Sequence, residues 1–589
     1  MSAPPQGFGT GGGLSPATFL GTYTGTNPSN PANGYWWYRA DLGQIWMNVN
    51  GTIMPVGGTG SVSIIATSVT IANTDVYTDI IVVSGATLTI YGTVIFHGNV
   101  TILNGGTLLS SNPNASSSSP ATNNYQFLGN FYLNGTYQIA AYNTDNIVNS
   151  ITINTITAAG GANPTISGSG TLNIPSGVTI TVNVTTTISV STLSVTGTLT
   201  VDASVSMTTA TVSGSGTLSV ASGYTLIVNA NVTWSVPTVS GAGTLSVSSG
   251  YTLTLGANVT WSLPLSVSGT LSVPSGYTLT INANATVSGL SGTGTISVSS
   301  GYTLTLNMNY TITSSSVQFT GSGTLSIGSG YTLTISNNVT WTLNISGSGT
   351  LSVSSGYTLT LGANVTWSIA NISGSGTLSV ASGYTLTQGG AISISIANIS
   401  VAGTWANAGY GIAIPSGATV SWKTTGSLTT ASTAGTLTIN GTLYYYGIAS
   451  SYNTSEVALP SFPLSLAGTG IGLFTTTATS SGGNSLSLSN ETVSAGSNDG
   501  SVSTSGIYGR IAISSISGSA VGKYALDIYT TNGGYQTAAL IYIGTANTSY
   551  SVNFTAVANG DLIGSGYTAY VRNNSNSAGS ITITGTFYD

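Results

Sequence analysis

Along most of the chain, apolar and polar residues alternate with a period of two, in short runs divided by Ser-Gly and Gly-Ala-Asn corners. Between 241 and 262, Leu245 and Val247, then Tyr251, Leu253 and Leu255, then Val259 and Trp261 share a parity, with Ser or Thr mostly between them. Each run reads as a half-buried strand. The pattern is also a tandem repeat, since GAGTLSVSSGYTLTLGANVTWS at 241–262 returns as GSGTLSVSSGYTLTLGANVTWS at 347–368. A tyrosine after Ser-Gly marks its register at Tyr224, Tyr251, Tyr277, Tyr302, Tyr331, Tyr357 and Tyr384, at spacings of 27, 26, 25, 29, 26 and 27 residues. A period in that range means stacked units, and three strands per unit are too few for a propeller blade of about 40 to 50 residues. The architecture predicted is all-β: a parallel β-solenoid, or β-helix, with three-sided coils, each hydrogen-bonded to the next about 4.8 Å away. With one coil per repeat, the stretch 60–447 holds about 15 coils.

Parity also orients the side chains. The slot of Trp261 recurs as Trp234, Val287, Ile312, Trp341 and Trp367, all large and apolar, and is expected to face inward. The tyrosine slot reappears as Ala86, Val178 and Ala418. An inner ladder near a corner is therefore expected for it, in preference to an exposed sugar-binding stripe.

Outside the array the pattern changes. Residues 1–20 are Gly/Pro-rich and read as an extended attachment arm, and 21–59 as a small β-hairpin module with Trp36, Trp37 and Tyr38 on one strand. The solenoid stalk is expected over 60–447, with an insertion at about 112–150 where a polar, Ser/Asn-rich stretch breaks the alternation. Pro460 and Pro463 mark a linker at 448–470. The remainder, 471–589, alternates through about eight candidate strands and reads as a β-sandwich head, jelly-roll-like.

Charge sharpens this division. Charged residues make up 3% of the 589-residue chain, against about 25% on average. None, and no histidine, occurs among the 220 residues from Ala203 to Trp422. Such an array has almost nothing to titrate in acid, so the 151–446 segment is expected to keep its β signal from about pH 7 to 2. It also offers trypsin no site between Arg39 and Lys423. A net charge of −6 with five basic residues argues against a nucleic-acid or anionic-membrane partner. No apolar run is long enough for membrane insertion, and the first residues lack the basic and apolar regions of a secretory signal. With no cysteine, neither disulfides nor Cys-based metal sites are available.

Catalytic chemistry is sparse. Cleaving a polysaccharide takes a pair of carboxylates about 5 to 10 Å apart, and the coil offers only Asp75, Asp79, Asp145 and Asp202, with His97 as the one histidine. Asp75 and Asp79 share a parity and could lie on one face, but capping the first coil with polar groups is the preferred reading of them. No catalytic set, metal site or cofactor is expected. Twenty Asn-x-Ser/Thr sequons occur, six at one repeated outward position: Asn231, Asn258, Asn284, Asn309, Asn338 and Asn364. They are candidates for glycosylation, or for a structural asparagine ladder at a corner. Nine of the sixteen charged residues lie beyond Gly447. Tyr535, Gln536, Tyr567, Tyr570 and Arg572 there are the candidate receptor-binding residues, because Tyr and Arg pair flat faces with hydrogen-bonding tips.

The segment 26–57 carries Asn27, Pro28, Pro31, Gly34, Trp37, Tyr38, Asp41, Gly43, Asn50, Gly51 and Thr52. This pattern resembles a short module near the ends of many phage and virus tail fibres, and covers about 30 residues of turn-rich sequence. Attachment module, uncharged solenoid and sandwich head together resemble viral tail spikes and receptor-binding fibres, and the uncharged, sequon-rich composition is similar to that of viruses of acid- and heat-loving archaea. The resemblance implies a virion-surface fibre, homotrimeric, joined to other virion proteins by its N-terminal region and binding a host-cell glycan or protein. A polysaccharide-degrading β-helical tail spike and a cellular surface adhesin are the alternatives.

Overall fold

The computed structural model describes residues 62–446, with breaks at 104, 129–130, 134–135, 141–142, 148–150, 155–164, 426 and 431–434. On either side it describes the strands named below, the turns at 519–521 and 544–547, and Thr469. Among the described residues there is no helix: the chain is a parallel β-solenoid of about 17 turns with separate small sheets toward its ends. It falls into two compact units, Met1–Leu304 and Thr305–Asp589.

In the first unit, strands Phe19–Tyr23, Trp36–Arg39, Gln44–Val49 and Thr52–Val56 form a small sheet. Its first pair is parallel and the others antiparallel, with Trp37 opposite Trp46. The solenoid then climbs by three strands per turn. Thr217–Val220, Thr225–Val228 and Val232–Trp234 make one turn, and each pairs in parallel with its counterpart in the next: Leu218 with Val239, Leu226 with Leu245, Val232 with Leu253.

Those registers advance by 21, 19 and 21 residues, so a turn is shorter than the sequence repeat. Between Tyr251 and Tyr277 lie four strands, Thr252–Leu255, Val259–Trp261, Leu265–Val267 and Thr270–Val273. Each repeat therefore covers one turn and a third. Successive copies of the motif land on successive faces, and this is why about 17 turns stand where one coil per repeat gives 15. The faces tolerate it because each asks the same of a strand: apolar residues in, Ser and Thr out. Deleting one repeat from the second unit, Thr358 to Tyr384, should accordingly leave a cooperative fold whose later turns are rotated by one third of a turn. Far-UV circular dichroism and a melting curve check this; loss of the fold would mean that the faces are not interchangeable.

The expected insertion belongs to the coil. Ala121–Phe127 pairs with Thr87–Phe96 and Asn143–Ile147, Phe131–Leu133 with Val100–Ile102 and Ile151–Asn154, and Thr136–Ile139 with Thr107–Ser110 and Thr165–Ile174, all in parallel. Its polarity hid this, since Ser110, Asn123, Asn143 and Asp145 point inward and satisfy one another.

Most of the rest of the interior is apolar, apart from single threonines and the hydrogen-bonded Gln388–Asn407 pair. Trp234, Trp261, Val287, Ile312, Trp341 and Trp367 are all buried, as their parity predicts. Ring pairs continue the core from turn to turn, at 5.7 Å between Trp234 and Trp261 and 4.7 Å between Trp405 and Trp422. The tyrosines depart from expectation. Tyr224, Tyr251, Tyr302, Tyr331, Tyr357 and Tyr384 stand exposed, whereas Ala86 and Val178 in the same slot are buried. The slot is a rim: it follows a β-turn closed by Tyr251 N–H donating to Ser248 O, with Gly250 at φ 86°. Such a turn requires glycine at its third position. The neighbouring turns cover a small side chain there, while a ring extends past them into solvent.

In the second unit the same coil continues, Leu325 pairing with Ile345 and Val339 with Leu359. Parallel stacking reaches past Gly447: Ser465–Ala467 lies on Thr436–Ile439, and Ile471–Thr475 on Thr442–Tyr446. The ladder then changes sense, as Gly534–Ile543 adds antiparallel to Ile471–Thr475 with Leu473 opposite Ile541. Gly522–Thr530, Thr568–Asn573 and Asn498–Ser503 extend this sheet. A second antiparallel sheet runs Asn484–Val493, Gly579–Tyr588, Arg510–Gly518, Thr548–Val557. The two share one core in which Leu473, Leu526 and Ile541 meet Ile513, Phe554 and Ile583.

Candidate functional site

Four places gather polar chemistry. The most exposed is at the start of the coil, where Asp75 Oδ2 lies 3.4 Å from His97 Nε2 and accepts from the Tyr77 hydroxyl at 3.2 Å. The Tyr77 and His97 rings stack at 4.2 Å. Asp79 does not join them. It opens the next strand, Asp79–Val82, beyond the corner that ends Val69–Val76, and its carboxylate accepts from the backbone N–H and side-chain amide of Asn99 at 2.7 and 3.2 Å. The shared parity of the two aspartates is thus interrupted by a corner. Asp79 is a clamp between turns, and Asp75 faces solvent with a histidine.

The second place is inside. Asp145 is fully buried and accepts hydrogen bonds from Ser110 Oγ at 2.6 Å, Asn123 Nδ2 at 3.0 Å and the Tyr137 hydroxyl at 2.6 Å. Burial pushes its carboxyl above the usual range, against the opposing pull of those three donors. Tyr137 is raised well above the ordinary phenol value by its own burial and by the nearby Asp145 charge. Asn123 Oδ1 accepts from Gly92 N–H and Asn143 Oδ1 from Asn112 N–H, at 2.8 and 2.9 Å. The cluster joins successive turns and has no open side for a substrate, so Asp145 is structural.

Third are the corners. Asn231, Asn258, Asn284, Asn309, Asn338 and Asn364 are exposed. Each Oδ1 accepts the backbone N–H of the threonine after the next repeat's tyrosine, Thr252, Thr278, Thr303, Thr332, Thr358 and Thr385 in turn, at 2.8–3.0 Å. Here the one-third-turn slip is fixed, because the asparagine of one copy sits beneath the Ser-Gly-Tyr corner of the following copy. The carbonyl oxygen makes the bond, so the amide nitrogen that glycosylation would modify is not the atom holding the corner. Asn258→Ala should cost about 1 kcal/mol of stability in thermal unfolding, the net worth of one exposed hydrogen bond. Asn258→Asp, which keeps the acceptor, should cost less.

The fourth is a groove of 330 Å³ in the second unit. Its floor is formed by corners of successive turns, Gly417–Thr419 and Asn440–Thr442, with Thr469 above them, and its wall is Thr545, Thr548 and Tyr550. The floor is stacked in register, Thr419 on Thr442. Asn440 Oδ1 accepts from Thr469 N–H at 3.1 Å, and Thr469 O accepts from Thr545 Oγ1 at 2.7 Å and the Tyr550 hydroxyl at 3.4 Å. Nothing in the residue pattern marks this site. Threonines are ordinary on outward strand positions, and the residues that meet lie 29 to 81 positions apart along the chain.

Of the residues expected to bind a receptor, Tyr535 and Gln536 begin the strand Gly534–Ile543, opposite Tyr529 and Ile528. Tyr570 and Arg572 lie on Thr568–Asn573, opposite Asp527 and Ala525. Thr537, Asp527 and Tyr570 thus form one cross-strand row. Tyr567 lies outside the described residues, as do residues 1–18 of the expected attachment arm. No known family, curated protein or solved structure matches the chain.

Proposed function

We propose that this chain is a surface spike or adhesive fibre: a β-solenoid stalk that displays a sandwich head to a partner on a cell surface. The observation that carries the reading is the division of labour along one polypeptide. The array from Ala203 to Trp422 holds no charged side chain and buries its tryptophans in an interior ladder, whereas charged residues gather after Gly447. A charge-free coil supports and spaces; recognition needs directional polar groups. The viral form of this reading, with the N-terminal region attached to other virion proteins, assembly as a homotrimer and the glycan or protein of a host cell as receptor, rests on the resemblance to tail fibres in 26–57 and on the order of the parts. Catalysis is not part of the proposal, since Asp145 is enclosed and Asp79 is committed to Asn99. The exposed Asp75–His97 pair is what favours the second reading, a polysaccharide-cleaving spike.

Gold-labelled antibody to the chain should mark surface projections of the particles or cells that carry it, and labelling confined to the interior would end the proposal. Release of reducing ends from surface polysaccharide, abolished by His97→Ala, would favour the second reading instead. Sedimentation as a 58.8 kDa monomer at micromolar concentration would remove the trimer.

A further inference from the structure

We infer that the groove between the last solenoid turns and the head binds a short segment of uncharged carbohydrate. This deepens the reading above and rests on it, by naming where on the chain recognition takes place and what chemistry it takes.

The lining decides the ligand class. Thr419, Thr442, Thr469, Thr545 and Thr548 bring hydroxyls, Asn440 an amide and Tyr550 a phenol; among the described residues no acidic or basic side chain lines the groove. A charged ligand would lose water there without gaining a counter-charge, which is costly. A purely apolar ligand would cover hydroxyls and leave them unpaired. A neutral sugar avoids both costs, because each of its hydroxyls, like those of threonine, donates once and accepts through two lone pairs.

The groove is also arranged in advance. Thr545 Oγ1 and the Tyr550 hydroxyl both donate to Thr469 O, and Thr469 Oγ1 donates to Asn440 Oδ1 at 3.3 Å. Their protons are committed, so these oxygens meet a ligand as acceptors in fixed positions. Tyr550 also packs against the sandwich core, which steadies its ring. Fixing groups before binding removes the ordering cost that otherwise weakens association. A Cβ added at Gly417, on the floor's edge, would meet nothing within 4 Å, so the floor is open to solvent at that end. The volume, 330 Å³, is at the lower limit of ligand pockets, about 300 Å³, and suits a segment of a glycan chain better than a peptide.

The test uses the full chain on immobilised neutral hexose and pentose oligosaccharides, beside a carboxylated and sulfated set. Two variants accompany it. The double change Thr419→Val and Thr442→Val removes floor hydroxyls at constant shape; Thr419→Trp, at an exposed position, fills the groove. Binding to neutral glycans is expected, weakened at least tenfold by each variant with the melting temperature unchanged. Preference for the charged set, no binding to neutral glycans, or binding that both variants retain would overturn the inference. Surface labelling by antibody separates the two levels: with label present and glycan binding absent, the spike reading stands and this site falls.

Discussion

Truncating Trp341 to alanine should cost about 3 to 5 kcal/mol, the range for removing a buried indole from a packed interior. Trp341 is enclosed by its own and neighbouring turns, and its Nε1–H donates to Leu343 O at 2.8 Å. In a stack where each turn touches only its neighbours, the loss is local. Hydrogen exchange should therefore speed up in the turns beside 341 and stay unchanged several turns away. The phenylalanine variants separate packing from hydrogen bonding. Trp341→Phe loses the bond to Leu343 O. In Trp261 the buried Nε1 has no partner, so Trp261→Phe removes an unsatisfied donor along with the ring area and should cost about 1 to 3 kcal/mol less. Equal costs for the two substitutions, measured by thermal unfolding, would refute this account.

The fold was legible because period-two alternation survives repetition, and the Trp261 slot shows the inner face without any structure. Turn length was not legible. A repeat of four strands on a three-sided coil looks like any other repeat, and the slip between copy and turn shows only in backbone pairing, such as Leu226 with Leu245. Tyr251 misled for a related reason: its slot also accepts Ala and Val, which identifies a covered Cβ but not the path of a ring. The polar stretch at 112–150 was misread as an insertion because Asn123, Asn143 and Asp145 occupy inward positions where alternation leads one to expect Leu or Val. Their partners come from strands 8 to 35 residues away, and no local pattern marks them as mutually satisfied. The groove near Thr469 was beyond sequence reading for the same reason, being made of residues common everywhere on the outward faces.

Stability should rise as the pH falls from 7 toward 4, and Asp145 should be the cause. The uncharged array predicts only indifference to acid, but Asp145 sits in the coil immediately before it. Burial holds its carboxyl above the usual range, so folding favours the protonated form. The stability gained this way is complete below the ordinary aspartate value of about 3.9 and is lost as the pH climbs through the raised folded-state value. Tyr137 and Tyr125 are displaced in the same direction, each chiefly by burial, so the cluster loses further stability on the alkaline side of the ordinary phenol value near 10. Each unit of displacement at Asp145 is worth about 1.4 kcal/mol between the two limits. Asp145→Asn has no proton to lose and keeps the shape, while the Ser110 and Tyr137 hydroxyls can reorient to pair with its amide. Melting temperatures of the full chain and of Asp145→Asn at pH 4 and pH 7 supply the comparison. The parent should gain more than the variant on going to pH 4, whatever the remaining carboxylates contribute to both. An equal change in the two proteins would show that Asp145 titrates alike folded and unfolded. Asp145→Ala tests the cluster itself: Asn123 Nδ2 keeps Asn143 Oδ1 and Ser110 Oγ, and Ser110 Oγ keeps the Tyr125 hydroxyl, but the buried Tyr137 hydroxyl loses its acceptor, at about 1 to 3 kcal/mol, in addition to the space the carboxylate leaves.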